Sequence, residues 1–365
     1  MLFILLSAIL AQAATSTTFD TACYAVEDFR LETRHGDDRV SLAGDMRYAP
    51  GDVARPTVLM ITGSGDHVRE QMISGVPMFG MIADRLARAG YQVVLTDPRG
   101  FGASTVNGES YEPPQWLQVP SALRIADNRA VLDYLASHPR VGDIIVLGHS
   151  EGAMIASQLA ADRPDIDLAI LLAGPALPGA ETFARQRTDF MIRQGVDPFT
   201  AEQVYPALLR FAEFVASDAV EDAAAWDAVL AEMMAAQSAL DEPFYNAEIL
   251  DFYRSGTAWH RAFMAYDPAS DLARLTTPVL AVYGSADDAT PPAAHAPVLL
   301  QHLSAAGNPD IELHVLPDQD HFFLEFEDRR VDRHPFGQTE IADELIAALL
   351  DSLDRRIGAS DGCTD

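Results

Sequence analysis

The sequence predicts an α/β fold, a mostly parallel doubly wound sheet carrying an inserted helical lid, and three observations predict it. Near-continuous apolar runs of strand length recur along the chain, at residues 57–62, 91–96, 144–147, 168–173, 278–283 and 311–316. Runs without polar alternation are what strands covered on both faces require. Segments with helical spacing lie between them, at 79–89 and 121–137, so strands and helices alternate as they do in right-handed crossovers of a parallel sheet. The alternation then breaks: residues 176–268 hold helical runs rich in Ala, Glu and Asp and no clear strand. A chain of 365 residues is long enough for one large core with such an insertion. The expected division is a core of residues 20–175 and 269–357 and a lid of residues 176–268.

Taken in order, residues 1–14 are an apolar run ending in an Ala-x-Ala pattern, Ala11-Gln12-Ala13, followed by the polar Thr15-Ser16-Thr17-Thr18. This is the form of a secretory signal peptide, expected over residues 1–13, although no Lys or Arg precedes the apolar part. Export to the periplasm or outside the cell follows from it. No other segment offers the roughly 20 apolar residues that a membrane span needs, so stable membrane insertion is not expected. Residues 26–33 and 40–48 read as an opening pair of strands separated by Gly36-Asp37-Asp38. The first crossover runs from 57–62 through a helix at 79–89, with Met81, Ile82, Leu86 and Ala89 on one face, to 91–96. The helix at 121–137 is expected to bury Leu123, Ala126, Ala130, Val131 and Tyr134. Within the insertion, helices are expected at 201–217, 223–239 and 244–253. After the strands at 278–283 and 311–316, a helix at 338–356 closes the chain.

Composition excludes some functions. The formal net charge is −29, and every one of the 25 basic residues is arginine. Nothing concentrated and basic is available to neutralise phosphates, so nucleic acid is not an expected partner. The acidic surface keeps the chain solvated and carries no catalytic information. Two cysteines stand near the ends, Cys23 and Cys363. In an oxidising compartment they can join the termini, a cross-link worth about 4 to 5 kcal/mol at most in the chain-entropy model; two unpaired thiols are the other reading.

The chemistry begins at Gly148-His149-Ser150-Glu151-Gly152, which follows the apolar run 144–147 and precedes the helical Ala153-Met154-Ile155-Ala156. A serine on so tight a strand-to-helix turn has its Oγ raised above the sheet edge and a helix N-terminus beneath it, a geometry suited to acyl transfer. The order of candidates is Ser150, then an acid at the end of strand 278–283, then His321 in the loop after strand 311–316. His321 would take the serine proton and return one to the leaving group, while the acid fixes its tautomer. Asp287 is favoured over Asp288 as that acid; Asp288 suits a helix-capping turn. His314 lies inside a strand, and His149 is expected to pack beneath the nucleophile. Oxyanion donors are expected from the backbone N–H of Ser64, with Gly65 as second choice, and of Glu151, immediately after the nucleophile.

Together with Thr62-Gly63-Ser64-Gly65, the loop 97–104 (Asp97-Pro98-Arg99-Gly100-Phe101-Gly102-Ala103-Ser104), Gly284-Ser285-Ala286-Asp287 and Asp320-His321-Phe322, these motifs resemble the α/β-hydrolase superfamily. Within it the chain is most similar to exported serine esterases related to dienelactone hydrolases and acylaminoacyl peptidases. The resemblance implies a hydrolase without metal or cofactor, acting on a small-molecule ester through an acyl-enzyme, with Arg99 structural. Thr62 stands where many relatives carry His, and residues 65–69 follow the Gly-Pro-x-x-Arg version of related esterases only loosely. An alternative is a serine exopeptidase or amidase whose lid carboxylates, Glu213, Glu221, Asp222 and Glu232, hold a substrate amine; their other reading is solvated helix faces. A non-catalytic carrier of this fold is disfavoured, because Ser150, Asp287 and His321 are all present.

Overall fold

Apolar runs end up at the centre of one sheet because each strand there is covered on both sides. The computed structural model describes residues 19, 21–51, 53–73, 75–112, 114–240, 242–255, 258–325, 340–358 and 362–363. The expected signal peptide, residues 1–13, lies outside them. The strands of the central sheet are β1 (Ala25–His35), β2 (Asp38–Tyr48), β3 (Arg55–Ile61), β4 (Gln92–Thr96), β5 (Val141–His149), β6 (Leu168–Leu172), β7 (Val279–Gly284) and β8 (Ile311–Leu316). Their spatial order is β1-β2-β4-β3-β5-β6-β7-β8, and the short strand Thr105–Val106 also pairs with β2. β1 and β2 run antiparallel to each other and β2 antiparallel to β4. From β4 to β8 every pairing is parallel.

Helices α1 (Met78–Arg88), α2 (Ser121–Ala136) and α3 (Glu151–Asp162) follow β3, β4 and β5. Between β6 and β7 come α4 (Gly179–Arg193), α5 (Pro198–Ala216), α6 (Ala223–Ala236), α7 (Ala247–Arg254), α8 (Ala258–Ala265) and α9 (Ala269–Leu272). α10 (Pro292–Ala305) and α11 (Asp343–Arg356) complete the chain. Successive strand residues point to opposite faces, which divides the core in two. Val58, Met60, Ile145 and Leu147 meet α1 and α11 on one side. Leu59, Ile61, Val146 and Leu171 meet α2, α3 and α10 on the other. Each fully buried Leu, Ile or Val contributes roughly 1.5–3 kcal/mol, so the sheet centre is where truncation costs most.

The structure corrects several element boundaries. In α2 the buried residues are Arg124, Asp127, Asn128, Val131, Leu132 and Leu135; of the expected Leu123, Ala126, Ala130, Val131 and Tyr134 only Val131 is among them, the other four being half-buried. The helix is turned so that its polar N-terminal residues reach charged partners beneath the loops of the sheet. In the insertion, α5 starts at Pro198, capped by Asp197, whose side chain accepts from Thr200 N; α6 ends at Ala236 and α7 starts at Ala247. α4 and α8 were not expected, because their buried residues include small and polar ones such as Ala180, Thr182, Thr188 and His260. These helices share a cluster of their own around Phe183, Leu208, Phe211, Leu250 and Tyr253, joined by Met154 of α3. The closing helix starts at Asp343, and the preceding Glu340–Ile341 forms a two-residue strand with Leu324–Glu325; residues 338 and 339 lie outside the described residues. Cys23 and Cys363 form a disulfide with a Cα–Cα distance of 5.6 Å.

Candidate active site

Parallel strands put all their carboxyl ends on one edge, and the loops that leave that edge carry the candidate residues. Ser150 follows β5 with φ 55° and ψ −120°, a conformation costing a non-glycine residue on the order of 1–3 kcal/mol. Its N–H donates to Leu172 O at 2.9 Å, which ties the turn to β6. The flanking glycines are required by close approach: a Cβ on Gly148 would lie 2.0 Å from Gly152 O, and one on Gly152 would lie 2.0 Å from Ile61 O. The elbow can therefore sit against the end of β3 only with both glycines. Ser150 is partly exposed, while His149 and Glu151 are buried.

Asp287 and His321 are brought together from the loops after β7 and β8. The His321 Nδ1 lies 2.9 Å from Asp287 Oδ2 and 3.0 Å from Oδ1. Asp287 is also held by Ala289 N and Thr290 N, each donating to Oδ1 at 2.8 Å, and by Thr290 Oγ1, donating to Oδ2 at 2.7 Å. Burial raises the Asp287 carboxyl, but His321 and these donors outweigh it and bring it to about 2. Burial lowers His321, and the neighbouring Asp287 charge more than reverses this, leaving it above the ordinary histidine value. Asp288 points elsewhere, pairing with Arg193 of α4.

A buried chain of hydrogen bonds joins the three loops. Gln71 Oε1 accepts from Gly63 N at 2.7 Å, and Gln71 Nε2 lies 2.7 Å from His149 Nδ1. His149 Nε2 lies 2.8 Å from His321 O. An amide donor on one nitrogen and a carbonyl at the other fix His149 as the Nε2–H tautomer. Burial takes its pKa down to about 3, so it stays neutral. The residue expected to pack beneath the nucleophile thus connects the elbow with the base loop, the His149 and His321 rings lying 4.8 Å apart. His314 sits in β8 beside Glu312, away from this chain.

The expected oxyanion segment lies against the nucleophile: a Cβ on Gly63 would be 3.4 Å from Ser150 Cβ. Gly63 N is already engaged by Gln71, which leaves Ser64 and Gly65 as the loop's candidates, with Glu151 N across the turn. Arg124 of α2, unremarked in the sequence, binds both sides. It donates to Glu151 Oε2 at 2.8 Å, Gly63 O at 3.0 Å, Thr62 O at 2.5 Å and Thr62 Oγ1 at 3.0 Å. Ser121 Oγ donates to the other oxygen of Glu151 at 2.6 Å. Polar residues at positions 124, 127 and 128, one helical turn apart, were the sequence signal for this buried face. Asp127 binds Arg99 through two bonds of 2.7 Å, so Arg99 serves the structure of the loop after β4.

Beside Gly65 and Glu151 opens a small recess walled by Phe101, Trp116 and Trp259. Trp116 and Trp259 meet edge to face, their rings 5.0 Å apart. Of the carboxylates named in the insertion, Glu213 and Glu221 lie on exposed surface, Asp222 caps α6, and Glu232 pairs with Arg210. Among the described residues no group of three or more His, Cys, Asp or Glu side chains is placed to hold a metal ion. Likewise no described helix is long and apolar enough to cross a membrane.

Comparison with known proteins agrees with this architecture. The family model described as serine aminopeptidase, S33, matches residues 54–329. No curated protein is significantly similar to the chain in sequence. Among solved structures, an esterase of Pyrococcus furiosus is 15% identical, covers 92% of each chain and has a TM-score of 0.53. The acylaminoacyl peptidase of Pyrococcus horikoshii is 13% identical over 94% of this chain and 43% of that one, with a TM-score of 0.52. The proline iminopeptidase of Mycobacterium smegmatis is 18% identical over 91% of this chain and all of that one, with a TM-score of 0.51. At such identities the likeness is one of fold.

Proposed function

The chain belongs to the serine aminopeptidase S33 family of α/β-hydrolases and is a serine hydrolase, and from that premise we propose that it cleaves carboxylic esters of small substrates through an acyl-enzyme on Ser150. His321 takes the Ser150 proton as Oγ attacks the ester carbonyl, and returns it to the departing alcohol. Asp287 holds the Nδ1–H and balances the imidazolium. The oxyanion rests on the N–H of Glu151 and of Ser64, with Gly65 in reserve. Water, deprotonated by His321, then releases the acid. Residues 176–268 serve as the lid, and the protein works after export, a reading supported by the Cys23–Cys363 disulfide.

The observation that carries esters over peptides is the charge balance beside the oxyanion segment. Among the described residues Glu151 is the only carboxylate lining that recess, and Arg124 neutralises it. An exopeptidase needs an unneutralised carboxylate to receive a substrate ammonium, and the lid acids named for that task are exposed, capping or paired. The test is turnover of p-nitrophenyl acyl esters beside aminoacyl p-nitroanilides by the wild type and Ser150→Ala. Ester cleavage that Ser150→Ala abolishes, without anilide cleavage, is the expected result. Anilide cleavage requiring a free amino group overturns the ester reading in favour of a peptidase.

A further inference from the structure

Gln71 is fully buried between β3 and α1, and its φ of 46° is a left-handed backbone conformation, strained for any residue but glycine. Its own N–H donates to Val68 O at 2.9 Å, which closes a local turn. Burying a side-chain amide is tolerated where its hydrogen bonds are made, and here its oxygen and both its N–H groups have partners. Oε1 accepts from Gly63 N at 2.7 Å, while Nε2 lies 2.7 Å from His149 Nδ1 and 3.3 Å from Met78 Sδ. A backbone N–H can only donate, so the amide faces Gly63 with its oxygen and turns its nitrogen to His149. Strain of this kind, held in place by a fully bonded side chain, clusters at working sites.

The two ends of this amide lead to the two halves of the hydrolytic machinery. On one side, Gln71 fixes the Gly63 N–H while Arg124 fixes Thr62 O and Gly63 O, so both peptide planes at Gly63 are held. A trans peptide points its N–H opposite to its C=O, which sets the direction of the Ser64 N–H. On the other side, the amide donor at Nδ1 leaves the His149 proton on Nε2, from where it is donated to His321 O at 2.8 Å. The other tautomer would set N–H against N–H at Gln71 and lone pair against lone pair at His321. One side chain after β3 thus reaches, through the end of β5, the main chain of the base beyond β8.

We propose that Gln71 is a positioning residue for the hydrolytic reaction: its oxygen steadies the oxyanion loop, and its N–H, through the tautomer of His149, steadies His321. This rests on the roles of Ser150, His321 and Ser64 given above and is independent of the choice between ester and peptide. A fluorophosphonate probe tests it without either substrate. Ser150 Oγ bonds to phosphorus, fluoride leaves, the serine proton passes to His321, and the phosphonyl oxygen takes the place of the oxyanion. The measurement is the second-order rate of labelling at pH 6 for wild type, Ser150→Ala, Gln71→Asn, Gln71→Met and Gln71→Glu, with circular dichroism and Tm to verify folding. Gln71→Asn suits a left-handed backbone but is one methylene too short to hold Gly63 and His149 together, and Gln71→Met keeps the length without the amide. Both are expected to label about 10- to 100-fold more slowly than wild type, as displaced donors do. In Gln71→Glu, one proton shared between the carboxyl and His149 remakes both bonds without net charge, so labelling is expected to recover at least fivefold over Gln71→Met. A loss below tenfold in whichever of the Asn and Met variants folds, or Gln71→Glu no faster than they are, overturns the positioning role and leaves the triad in place. Labelling that is absent from the wild type, or that persists in Ser150→Ala, overturns the assignment of Ser150 itself.

Discussion

Asp287 accepts three hydrogen bonds from residues 289 and 290 besides its contact with His321, and its neighbour Asp288 pairs with α4. Two adjacent aspartates in one turn therefore have different partners. Asp287→Asn is expected to lower kcat/KM about 10⁴-fold, since the amide no longer fixes the working tautomer, while Asp288→Asn stays within about tenfold; equal losses in the two variants would count against Asp287 as the acid. The pH profile follows from the same pair. His321 must be neutral to act as base, and Asp287 holds its pKa above the ordinary value of about 6.5. Activity of the wild type is thus expected to rise through a limb centred above pH 6.5. In Asp287→Asn the raising charge is gone and burial remains, so any residual activity has its limb displaced to lower pH. Burial gives the opposite linkage at His149: its folded pKa is about 3. Stability from its neutral form is complete above about pH 6.5, where the unfolded chain is also neutral, and is lost as pH falls from there towards 3.

Elements meet at the site through backbone contacts and one buried arginine. The turn into α3 needs Gly152 because a Cβ there would lie 2.0 Å from Ile61 O, and Arg124 of α2 joins Thr62 and Gly63 after β3 to Glu151 at the start of α3. The two proposed oxyanion donors stand on these two segments. Arg124→Lys keeps the charge that Glu151 requires but cannot reproduce a planar fork donating to four oxygens. It is expected to reduce kcat about 10- to 100-fold with KM within about threefold, as a small displacement of preorganised donors would; steady-state kinetics with a thermal melt to verify folding checks it. The motif Gly148-His149-Ser150-Glu151-Gly152 was legible in the sequence because a strand-to-helix turn this close to a neighbouring strand leaves few choices. Arg124 was marked only by its place in a polar stripe with Asp127 and Asn128, and its role was not legible, because two of its partners are main-chain oxygens more than 60 residues away. For the same reason the apolar periodicity of α2 pointed to Leu123 and Tyr134, whereas charge pairing decided which face turned inward.

At the scale of the whole molecule, the disulfide joins residues 340 positions apart. Cys363 N also donates to Arg88 O at 2.7 Å, so the end of the chain is docked on α1. A cross-link closing so long a loop is worth about 2–5 kcal/mol. The Cys23→Ser, Cys363→Ser double variant is expected to melt several degrees below the oxidised wild type, and reductant should lower the wild-type midpoint by a similar amount; coincident melts would remove the disulfide from the account of stability. By itself the sequence determined the class of fold, because covering a sheet on both faces forces continuous apolar runs, and it pointed to Ser150 as the candidate nucleophile, because its turn forces paired glycines. It also pointed to Asp287 and His321 as candidates, since each lies in a loop just beyond a strand, on the edge where ligands bind. Only the tertiary structure decided that the cysteines meet, which face of α2 is buried, and that α8 brings Trp259 against Trp116 beside Glu151. Those outcomes depend on contacts between segments far apart in the chain, where the energy lies in pairing and packing that no local pattern encodes.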